Sequence, residues 1–136
     1  MRISTRKLIG IGGLVALILS VQVAVCIRRN DWSELLEWEG WLWAFTPAAF
    51  MGAWGWIILF ASKSCESKGG SKALNLLAIL YFAVVIWVTA DIILNGNSTS
   101  GIAFLLIPMF GTVVMLPLIG LVMWLGSRTL ENANDR

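Results

Sequence analysis

Four long apolar runs, separated by short polar segments, organise the chain. They cover about residues 8–27, 41–61, 73–94 and 102–125. Each is about 20 residues or longer and almost free of charge, the length an α-helix needs to cross about 30 Å of hydrocarbon. Strands of a membrane barrel would be about ten residues long and would alternate apolar with polar positions. These runs do neither. The pattern predicts an all-α integral membrane protein, a four-transmembrane-helix bundle, with residues 1–136 forming a single membrane domain.

The segment between the first two runs is the least uniform. Asn30 or Asp31 can cap a helix, and Glu34 comes three residues after Asp31, as in a capping box. Trp32, Leu35 and Leu36 then share one face, with Asp31, Glu34 and Glu37 over much of the other. This predicts a short amphipathic helix lying in the membrane interface and ending at Gly40. Its acidic face is unusual for a lipid-binding helix, since those favour Lys and Arg. Asp31, Trp32, Glu34, Glu37 and Trp38 are therefore candidates for meeting a partner, or for pairing with Arg28 and Arg29.

The charges in the connections orient the spans. Arg2, Arg6 and Lys7 precede the first span, Lys63, Lys68 and Lys72 lie between the second and third, and Arg128 and Arg136 come after the fourth. Arg28 and Arg29 alone lie on the other side, beside four acids, and Asn95 to Gly101 carries no charge. Cytoplasmic loops concentrate Lys and Arg, so both termini are expected in the cytoplasm, in a bacterial inner membrane. The basic start resembles that of a secretory signal peptide. Its apolar run is about 20 residues, however, against about 7–15 in a signal core, and Val25 before Cys26 suits cleavage poorly. The run is read as a retained span.

Composition agrees with this class. Hydrophobic residues make up 58% of the chain and charged residues 13%, against about 45–50% and about 25% in a soluble domain. There is no His, which removes His-ligated haem, His-containing zinc sites and His-based catalysis. Cys26 and Cys65 form no C-x-x-C and fall at opposite ends of the spans, beyond the roughly 7 Å reach of a disulfide. Basic residues form no stripe that would suit nucleic acid. No cofactor, metal site or catalytic residue is expected. Most of the eight Trp sit where an interfacial aromatic belt belongs.

Four features inside the spans could carry function. Asp91 is the only acid within a span, and such a group suggests a proton- or cation-binding site. It lies only about 5 Å from the end of its helix, within reach of Arg28, Arg29 or interfacial water. Gln22 is a polar group in the first span, expected to bond across to a neighbouring helix. Gly12, Ala16, Ser20 and Ala24 form a ladder of small residues for helix packing, within the chain or against another copy. Pro47, Pro108 and Pro117 each remove a backbone hydrogen bond and bend their helices. Small multidrug transporters share this size, but they carry a membrane-embedded Glu in their first span, and this first span holds no acid.

The expected function is non-catalytic: helix–helix or partner contact in the bilayer, as a subunit of a membrane complex or an immunity- or exclusion-type protein. The alternative is a small oligomeric transporter or channel using Asp91 and the Pro/Gly-kinked spans. The expected partners are the lipid bilayer and either a protein partner or a second copy of the chain.

Overall fold

A computed structural model describes residues 4–96 and 100–135. Among these are four α-helices: α1 Thr5–Arg29, α2 Trp38–Ser64, α3 Lys68–Asn95 and α4 Ser100–Asn134. Every apolar run falls inside one of them, and each helix is long and apolar enough to cross a membrane. The helices run alternately up and down. α1 and α3 begin at one end, here called basal, and finish at the other, here called apical. The basic residues Arg2 and Arg136 and most of the uncharged Asn95–Gly101 segment lie outside the described residues or side chains.

The packing is not a symmetric four-helix bundle. α1, α2 and α3 pack mutually, and α4 rests on α2 and α3; among the described residues α1 and α4 do not touch. Of its most apolar stretch, α2 buries 44% of the residues and α4 only 11%. α2 and α3 are therefore the centre, with α1 and α4 on opposite flanks. Large apolar side chains such as Leu8, Val15, Phe60, Trp87, Phe110 and Val113 stay exposed on all four helices.

Phe82 of α3 sits at the heart of the core. A Cβ at Gly13 of α1 would lie 2.6 Å from two of its ring atoms, and one at Gly55 of α2 would run into its Cζ. Both glycines leave room for the ring, so three helix backbones converge on one side chain. Leu17, Met51, Ile58, Leu74 and Val85 belong to the same buried core. Tyr81 donates its hydroxyl to the Met51 carbonyl at 2.6 Å, and Trp54 Nε1 donates to the Pro108 carbonyl of α4 at 3.1 Å, with its ring against Gly111. In lipid such packing and interhelical bonds hold helices together, because the hydrophobic effect does not distinguish neighbour from solvent.

Three local features depart from the simplest reading of the apolar pattern. First, no amphipathic helix joins α1 to α2. Asn30 ends α1 in the left-handed region (φ 52°), with its N–H on the Ile27 carbonyl and the Asp31 N–H on the Cys26 carbonyl. This is a Schellman stop, which Asn tolerates better than most residues. Asp31 then accepts from the N–H and the hydroxyl of Ser33, at 2.9 and 2.7 Å. This Asx turn replaces the expected capping box. A single 3₁₀ turn, Ser33–Leu36, comes next, and α2 starts at Trp38 and runs straight through Gly40.

Second, the small-residue ladder of α1 is divided between the outer surface and the core. Gly12 and Ala16 are exposed, Ser20 is half-buried and Ala24 is buried. A step of four residues turns about 400° at about 3.6 residues per turn, so Ala24 sits about 120° round from Gly12. The face that packs carries Gly10, Gly13, Leu17, Val21 and Ala24.

Third, the connection between α2 and α3 is short, because α3 already begins at Lys68. Ser67 caps α3 by accepting from the Gly70 N–H, and Gly69 and Gly70 are its first turn. A Cβ at Gly70 would lie 2.7 Å from Cys65 Sγ, so that thiol would have to shift. The helix also continues through Pro47 in α2 and through Pro108 and Pro117 in α4.

Candidate functional site

The polar residues singled out in the sequence gather at the apical end, where the last turns of α1 meet the first turns of α2. A cavity of about 630 Å³ opens there. Gln22, Val25 and Arg29 of α1 line one side, Glu37 just before α2 and Glu39, Trp43 and Pro47 of α2 the other, and Ile93 of α3 closes it. Gln22 is only 2% exposed, so the polar group of the first span lies at the cavity's deep side. Pro47 has no N–H to give the carbonyl of Trp43 four residues earlier, which frees that acceptor on a cavity residue. One cation and two carboxylates make the lining mixed in charge.

The expected constellation is thus divided. Gln22, Arg29 and Glu37 share the cavity, joined by Glu39 and Trp43, which no sequence motif marks. Arg28 turns away and donates to the carbonyls of Ile93 and Gly96, at 2.7 and 3.0 Å. It caps the carboxyl end of α3, whose last carbonyls have no partner within the helix. Asp91 is exposed on the outside of α3 and accepts from Asn95 Nδ2 one turn on, at 2.8 Å. It lines neither the apical cavity nor the core. This local bond is the fate of an acid near a helix end and gives it no path inward.

The partner-facing segment remains exposed. Leu36 is 90% and Trp38 70% exposed, and Trp32 is also out. Trp41 Nε1 donates to the Leu35 carbonyl at 3.0 Å and holds the 3₁₀ turn against α2. The Ser33 hydroxyl and N–H hold the Asp31 carboxyl below its ordinary value. The side chain of Glu34 lies outside the described residues.

Among the described residues no group of three or more His, Cys, Asp or Glu could hold a metal ion. Cys26 is buried near the apical end and Cys65 half-buried at the basal end, both free thiols. Thr89 of α3 is buried with its hydroxyl unbonded, and it lines none of the cavities described. No family model matches the chain, and comparison with curated proteins and with solved structures finds no significant match in either.

Proposed function

We propose that the chain is an integral membrane protein of four spans, both termini cytoplasmic, which acts by contact with protein in the bilayer and not by catalysis. The observation that carries this reading is the closed interior. Leu17, Met51 and Phe82 fill the space between the two ends, and Phe82 is seated against Gly13 and Gly55 with no slack. Asp91, which a transporter would need inside, is exposed and bonded to Asn95. Among the described residues, a single copy offers no polar route from end to end.

The orientation is supported by the basal gathering of Arg6, Lys7, Lys63, Lys68, Lys72 and Arg128, the bias of a cytoplasmic face. The contact reading is supported by the outward face of α1. A Cβ at Gly12 would meet nothing within 4 Å, and Ala16 is exposed one turn on. A second backbone can approach closely where two small residues are four apart. The partner is a subunit of a membrane complex, a toxin-like protein excluded by contact, or another copy of the chain.

The test is gentle purification from the native membrane, with subunit stoichiometry measured for wild type and for Gly12→Leu with Ala16→Leu. Wild type should carry a stoichiometric second chain, and the double variant should lose it while remaining folded. Ion or substrate flux in liposomes that disappears in Asp91→Asn would overturn the contact reading in favour of the oligomeric transporter.

A further inference from the structure

We infer that the basal cavity between α1 and α2 is a seat for one anionic phospholipid. The cavity is about 680 Å³. Arg6 and Lys7 from the first turn of α1 and Lys63 from the last turn of α2 supply three cations, and among the described residues no carboxylate lines it. Glu66, the one acid of the short α2–α3 connection, is not among its walls. The deeper wall is apolar and aromatic: Trp56, Ile57 and Phe60. Lys63 and Trp56 are two turns apart on α2, about 10 Å at about 1.5 Å per residue. The cavity therefore has the polarity of a lipid, with charge at the mouth and grease below.

Two details make this more than a scatter of surface lysines. Arg6 is held in place: its guanidinium donates to Ser71 Oγ of α3 at 3.0 Å. Ser71 Oγ lies 3.0 Å from Ser62 Oγ, and the fully buried Ser62 donates to Asn75 Oδ1 at 2.8 Å. The first N–H groups of α1 also face this end. Among the described residues, Ser4 Oγ meets only the Lys7 N–H, at 3.5 Å, and helix amino ends favour a phosphate. The apical cavity, of similar size, is the internal contrast, because Glu37 and Glu39 there oppose an anion.

Basic pockets between helices on the cytoplasmic side suit anionic headgroups. The phosphodiester would lie among Arg6, Lys7 and Lys63, and its acyl chains would run past Phe60, Ile57 and Trp56. This site rests on the membrane reading above, since only a bilayer presents such a ligand to that flank.

The test uses the full chain, purified in detergent, with bound lipid counted by native mass spectrometry against phosphatidylglycerol and phosphatidylcholine. Wild type should retain phosphatidylglycerol preferentially. Lys7→Gln with Lys63→Gln should weaken that retention about 30-fold, at about 1 kcal/mol for each cation removed from beside anionic headgroups. Lys68→Gln with Lys72→Gln, the same charge change outside the cavity, should leave it intact. Equal loss in both pairs, absence of preference in wild type, or displacement of the lipid by millimolar inorganic phosphate would each overturn the site. Extraction of the wild-type chain from membranes by alkaline carbonate separates the premises. Release would sink the membrane reading together with the site, whereas retention without lipid preference sinks the site alone.

Discussion

The two faces of α1 carry the same kind of residue to opposite ends. On the inward face Gly13 meets the Phe82 ring so closely that a methyl group would collide with it. On the outward face Gly12, its neighbour in the chain, meets nothing within 4 Å. One glycine is consumed by the fold and the other is left over. A small residue inside an apolar helix therefore does not by itself announce a contact; what matters is whether a large side chain on another helix has been aimed at it.

The sharpest way to break this contrast is Gly13→Leu. Overpacking at a position with no spare volume should destabilise the bundle by about 3 kcal/mol or more, measured as a shift in unfolding by denaturing detergent. A small effect there would mean that the ring is not wedged. Next comes Tyr81→Phe, which removes the hydroxyl bond to the Met51 carbonyl and keeps the ring. The expected loss is about 0.6 kcal/mol, typical of interhelical bonds in lipid. Gly12→Leu alone should change the stability of a single chain by less than about 0.5 kcal/mol, and a larger loss would show that the outward face is already packed. The smallest effect lies just past the stop of α1. With its carboxyl held below its ordinary value by Ser33, Asp31 favours the folded turn while ionised. That contribution is complete above the unfolded value and fades as pH falls through the lower, folded one. Amide exchange at Ser33 should therefore stay slow through mildly acidic pH and quicken only below the ordinary carboxylate range.

Hydropathy locates all four helices, because crossing-length apolar runs leave few other options. It stops short at the end of α4, which continues to Asn134, since Ser127 to Asn134 are helix-compatible but polar. The Asn30–Gly40 segment misleads for a different reason. Asn30 and Asp31 can equally begin a helix or end one, and the choice is made by the left-handed backbone at Asn30 and the pull of Ser33 on Asp31. The ladder on α1 is split by geometry: a strict four-residue step drifts round the helix, so Gly12 and Ala16 face out while Ala24 packs within the chain. The cavities are not legible at all. Arg6 and Lys63, or Arg29 and Glu39, share no local pattern, and only the pairing of helix ends brings them together. Asp91 is legible as an outlier, but its outward direction is not.

The separation of α1 from α4 also implies an order in time. The three helices that grip Phe82 precede α4 in the chain, and the glycines that seat the ring lie on α1 and α2. During synthesis α1, α2 and α3 can reach their final arrangement before the last helix emerges. The final helix then docks on a finished surface, through Trp54 on Pro108 and Gly111. A chain ending at Gly96 should keep the ring seated between its two glycines, so Gly13→Leu should unsettle that shortened chain as much as the full one. Assembly would then proceed by addition from the amino end, with the last helix as a latch.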